Sequence, residues 1–154
     1  MPTLRRMKTL TLPHGGSHWP CTLVTGASSG MGRALSLRRA DHGVRAIEDA
    51  SLVAMLAERQ IPLGICPTSN LVLGVYASIE QHPVERLRAA GVRVSINTDD
   101  PALLGASLVG EYSLCRKAFN WSDHVTQAVA RTSIEASFAG PDTKADLLRA
   151  LASW

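Results

Sequence analysis

From residue 41 onward, apolar and polar positions follow two rhythms, and their order spells helix, strand, helix, strand. Leu52, Val53, Leu56 and Ala57 recur at i, i+1, i+4 and i+5, which places all four on one face of a helix. Asp49 can cap it, so the pattern predicts a helix over about 49–59. Residues 61–66, I-P-L-G-I-C, form a short apolar run that predicts a strand, followed by a turn-rich P-T-S-N. A helix is predicted over 82–90: Pro83 suits its first turn, Leu87 packs inward and Gly91 can close it. Residues 92–96, V-R-V-S-I, predict the next strand. Helices then follow over 107–119, 122–137 and 142–153, with Ser122 or Asp123 as one cap and Pro141 as the last break. His82 and His124 stand at helix starts, where solvated side chains are expected.

Two strands with a helix between them make a βαβ unit, and such units build parallel sheets. In an α/β barrel or a doubly wound sheet the chemistry sits at the carboxyl ends of the strands. Pro67 to Asn70 fall at one such end, and Thr98, Asp99 and Asp100 at the other. Two adjacent carboxylates at the end of a buried strand repel each other and are poorly solvated. They persist there when a cation or a polar ligand compensates them. His42 is a third candidate, because an imidazole and a carboxylate converging on a metal can activate water by lowering its pKa toward ~7. Plainer readings stay open. A histidine before a glycine is often a turn residue, and Asp-Asp-Pro is a good helix N-cap with Pro101 at the first helical position.

The chain before residue 41 differs. Residues 1–20 hold Pro2, Pro13, Gly15, Gly16 and Pro20 without a period and read as an irregular leader. A short strand is predicted over 21–25 and a helix over 31–39. The first 40 residues carry Arg5, Arg6, Lys8, Arg33, Arg38 and Arg39 and no acid, whereas all 13 acidic residues come later. The charge step marks a boundary near Asp41, and the change from an irregular stretch to a strand-and-helix pattern separates a leader (1–20) from a βα segment (21–40) ahead of the larger unit (41–154). A solvated leader is expected rather than a nucleic-acid contact, since aromatics are only 5% and base-stacking platforms are scarce. No apolar run reaches the ~20 residues of a membrane helix, and no continuous apolar stretch follows the leader's basic residues as in a secretory signal. Three cysteines without a CxxC pair indicate neither a zinc cluster nor a disulfide framework, so a reduced cytoplasmic setting is expected.

Two resemblances follow from particular motifs. T-L-V-T-G-A-S-S-G-M-G, with Gly26, Gly30 and Gly32, resembles the nucleotide fingerprint of short-chain dehydrogenases, a Gly-rich turn between strand and helix that suits a pyrophosphate. It spans residues 22–40 and implies one Rossmann-like βα unit. NAD(P) binding is not expected from one such unit. There is no second unit, and no Y-x-x-x-K, because Tyr76 is followed four residues on by Glu80 and Tyr112 by Arg116.

The larger unit carries H-G-V-R-A-I-E-D, then I-C-P-T-S-N-L-V-L-G-V, then H-P-V-E-R-L, A-G-V-R-V-S-I-N-T-D-D-P, E-Y-S-L and I-E-A-S-F. As an ordered set these resemble the adenosine deaminase family over about residues 41–152. The resemblance implies a zinc-dependent (β/α)8 barrel that hydrolyses the 6-amino group of adenosine or a related purine. It implies Asp99 as the last zinc ligand, Asp100 as a hydrogen-bonding contact to the purine ring, His42 as the group orienting and deprotonating the reactive water, and Gly43 as a point of close backbone approach. Asp41 departs from the apolar residue the family usually places there.

The early H-x-H and the later H-A-G-E of that family do not occur in this sequence. The cytidine-type signature, H-x-E with P-C-x-x-C, is also absent. The expectation is therefore an incomplete (β/α)8 TIM-type barrel, its last strands and terminal helices, with a Rossmann-like unit upstream. An incomplete zinc site, no turnover by the chain alone and self-association through an exposed sheet edge are expected with it. The alternatives are a dehydrogenase fragment that binds nucleotide and a non-catalytic fusion.

Overall fold

A computed structural model describes residues 40–41 and 43–154 of the chain. Within them three strands form one parallel sheet in chain order, β1 (Ala40–Asp41), β2 (Leu63–Ile65) and β3 (Val94–Ile96). The register sets Ala40 beside Leu63, Leu63 beside Val94, and Ile65 beside Ile96. Every residue of β2 and β3 is buried. This is how strands read when a parallel sheet is covered on both faces. Parallel strands in chain order with helices between them fit an incomplete (β/α)8 barrel.

The strands are shorter than the apolar runs that predict them. The Leu63 N–H opens the ladder by donating to the Arg93 carbonyl at 2.8 Å, and Pro62 just before it has no N–H to add. Between β1 and β2 lie a 3-10 turn (Gly43–Glu48) and α1 (Ala50–Glu58). Asp49 caps α1 as expected, accepting from Ser51 N at 2.9 Å and Leu52 N at 3.2 Å. The helix buries Val53 and Leu56.

Between β2 and β3 the structure corrects two expectations. P-T-S-N is not a turn but the start of a six-residue helix, α2 (Pro67–Val72), because Pro67 supplies the first helical position. After a 3-10 turn (Ile79–Gln81), α3 (Val84–Ala89) starts two residues later than expected. His82 stays extended, its Nδ1 accepting the Val84 N–H at 3.3 Å. His82 is buried rather than solvated, only 2% exposed. Gly91 closes α3 with φ of +85°, a conformation that strains any residue with a Cβ.

After β3 come α4 (Pro101–Leu104), α5 (Leu108–Phe119), α6 (Asp123–Ala136) and α7 (Pro141–Ala152). Ser107 caps α5 and Ser122 caps α6 through their hydroxyls. Helix α6 packs on β3, and α7 lies outside it with no buried residue. Leu63, Ile65, Leu87, Val94 and Ile96 form the centre of the core, each at most 2% exposed. The predicted leader and βα unit lie outside the described residues, except Ala40, which enters β1.

Candidate active-site edge

The carboxyl ends of β2 and β3 are neighbours in the sheet, so the segments that leave them meet. Asn97 continues the pairing by donating its N–H to the Ile65 carbonyl at 2.9 Å. Two residues on, Asp99 adopts φ of +61°. This left-handed conformation is uncommon outside glycine, and aspartate is among the residues that tolerate it best. The kink breaks the strand alternation and separates the paths of two adjacent carboxyl groups.

Asp99 is joined to the first turn of α2, just beyond β2: the Ser69 hydroxyl donates to its Oδ2 at 2.7 Å. Ser69 itself is fully buried. Asp100 points to its own helix, where Oδ1 accepts the Leu103 N–H at 3.1 Å and Pro101 takes the first helical position. The plainer reading of Asp100 as an N-cap therefore holds geometrically, and both Asp99 and Asp100 are exposed, not poorly solvated as the sequence leads one to expect.

Gly43 is buried, and a Cβ built there would lie 2.9 Å from Cδ2 of Leu63. Its close approach is thus to the β2 core. His42 lies outside the described residues, as do Gly26, Gly30 and Gly32.

Around Ser69 the first turn of α2 is held from two sides. On one side, Asn70 Oδ1 accepts from His82 Nε2 at 3.0 Å, and Tyr76 meets the imidazole edge-on with ring centroids 5.1 Å apart. With Nδ1 accepting from Val84, the ring is neutral, and burial lowers its pKa to about 4. On the other side, Glu111 of α5, 1% exposed, accepts the Thr68 N–H through Oε2 at 3.1 Å.

Among the described residues no three His, Cys, Asp or Glu side chains come together as metal ligands. A catalytic zinc wants three protein ligands and a water, so the described residues alone do not fit a complete zinc site.

The family model for adenosine deaminase matches residues 3–154. The chain belongs to the adenosine deaminase family. That match runs through the stretch resembling a dehydrogenase fingerprint. An adenine deaminase from Rhizobium leguminosarum bv. trifolii is 47% identical over 113 residues, which make up 73% of this chain and 35% of that protein. The solved adenine deaminase of Arthrobacter aurescens superposes with a TM-score of 0.73 at 35% identity, over 76% of this chain and 36% of that one. An amidohydrolase from Burkholderia ambifaria, solved with bound zinc, superposes with a TM-score of 0.66 at 26% identity, over 75% of this chain and 33% of that one. The chain thus spans about a third of the length of the adenosine deaminase relatives it matches.

The sequence singles out Asp99 and Asp100, sets Pro67 to Asn70 at the neighbouring strand end as a segment and marks His82 as solvated, but it does not single out Ser69, Asn70 or Glu111. Glu111 had one visible signal: it stands four residues before Cys115 on a helix face that is otherwise apolar. No helix among the described residues is long and apolar enough to cross a membrane.

Proposed function

We propose that this chain forms the carboxyl-side edge of an aminopurine deaminase site, with adenine as the first substrate to test. In this reading Asp99 faces a zinc ion, Asp100 contacts the purine, and His42 with Gly43 borders the reacting water. The supporting observation is the Ser69–Asp99 hydrogen bond, which fixes one carboxyl group where the ends of β2 and β3 meet. A side chain held this way is pre-organised to receive a cation without rearranging. The remaining zinc ligands come, in this reading, from polypeptide outside the described residues, and the chain alone does not turn over.

Ammonia release from adenine and zinc affinity test this directly. The purified chain is expected to release no ammonia and to bind zinc weakly, with Asp99→Ala weakening that binding by about tenfold. Mixed with the separately expressed first two thirds of the Rhizobium adenine deaminase, it is expected to release ammonia from adenine. Asp99→Ala should abolish this. Zinc binding indifferent to Asp99, together with a silent mixture, would sink the proposal.

A further inference from the structure

Helix α2 has a defect at its start that its own sequence does not repair. The first helical N–H groups need acceptors, usually from the residue at the N-cap. Here the N-cap is Cys66, which makes no side-chain capping bond. Pro67 has no N–H, so the first exposed donor of the helix is Thr68. It finds its acceptor 43 residues later in the chain, in Oε2 of Glu111. The other carboxyl oxygen, Oε1, is buried and has no hydrogen-bond partner among the described residues. A buried polar atom left unmatched is costly. The side chain is nonetheless held fully inside, which a merely structural helix position does not require.

We infer that Glu111 is a positioning residue for Asp99, acting through the Thr68 N–H and the Ser69 hydroxyl. Thr68 and Ser69 are consecutive, so fixing the amide of one fixes the backbone that aims the hydroxyl of the other. Glu111 caps α2 from a distance and sets the rotation of its first turn. The turn then sets the Ser69–Asp99 bond. His82 holds the next residue, Asn70, from the opposite side, so rotation about the helix axis is restrained at both ends of the tripeptide. This inference rests on the reading of Asp99 as a site residue, yet the coupling it describes is measurable without any reaction.

The test uses the full chain labelled with carbon-13 at the aspartate carboxyls, taking Ser69→Ala as the reference for loss of the Asp99 hydrogen bond. Glu111→Ala is expected to displace the Asp99 carboxyl signal by at least half of that reference. Glu111→Gln keeps an oxygen that can accept from Thr68 and should leave the signal in place. Cys115→Ala, on the same buried face of α5, should lower stability without moving it. A folded Glu111→Ala with an unchanged Asp99 signal overturns the inference, as does a Glu111→Gln signal displaced as far as that of Ala. If Glu111→Ala does not fold, Glu111→Asp serves, since the shorter side chain withdraws the acceptor; an undisplaced signal there is equally fatal. Coupling observed alongside zinc binding indifferent to Asp99 and a silent mixture would leave the positioning intact and refute only the proposed function.

Discussion

The His82 imidazole donates to Asn70 Oδ1 across 3.0 Å while its other nitrogen accepts a backbone N–H. Both ring nitrogens are therefore committed, in an environment that disfavours a second proton.

The pH dependence follows from that commitment. The folded pKa is about 4 against an ordinary value of 6.5, so below 6.5 the unfolded chain binds the proton more readily than the folded one. Stability is fully present above pH 6.5 and falls as the pH drops toward 4, by a total on the order of 3 kcal/mol. Urea unfolding at pH 7.5 and pH 4.5 should show this loss. His82→Gln, less stable at neutral pH, should show a flatter profile between the same two points.

Gly43 is expected to resist enlargement. A Cβ 2.9 Å from Leu63 Cδ2 would meet a side chain that is fully buried and cannot swing away. Gly43→Ala should cost about 1–3 kcal/mol as an overpacking change. Removing one Leu63 carbon with Leu63→Val should relieve part of it. A denaturation double-mutant cycle checks the pair: a coupling below about 0.5 kcal/mol would mean the two residues do not press on each other.

Asp100 carries a structural duty that must be separated from any role at a substrate. Asp100→Ala removes the cap of α4 and should lower stability by about 0.5–2 kcal/mol, whereas Asp100→Asn keeps an acceptor for Leu103 N and should lower it little. Thermal unfolding of the two variants separates them. Only the Asn variant is then suitable for asking whether Asp100 touches a purine.

Cys115 should be chemically silent in the folded chain. Burial first, and the nearby Glu111 second, push its thiol up to about 12, and the reactive species is the thiolate. Iodoacetamide at pH 8 followed by peptide mapping should leave Cys115 unmodified until denaturant is added. Modification of the native chain at the rate of a small thiol would contradict the packing of α5.

What the sequence made legible was local. The Asp49 cap of α1, the Gly91 stop of α3 and the start of α6 after Ser122 each rest on residues within a turn of one another, and all three are found. What escaped was long-range. P-T-S-N reads as a turn because nothing nearby completes a helix start, and the completing group is Glu111 on another helix. His82 reads as solvated because its neighbours in sequence do not reveal that Asn70 and Tyr76 fold back over it. At the candidate site, the Asp99–Asp100 pair stands out in the sequence as two adjacent carboxyl groups. The different anchors of its two members depend on the backbone kink between them, which no side-chain pattern encodes.

That kink has a mechanical consequence. The left-handed turn at Asp99 places a pivot between two residues linked by a single peptide unit. Asp99 is tethered to Ser69 in the first turn of α2, while Asp100 caps a four-residue helix at the surface. A tilt of α4 would therefore carry Asp100 with it, while the Ser69 hydroxyl holds the Asp99 carboxyl where it is.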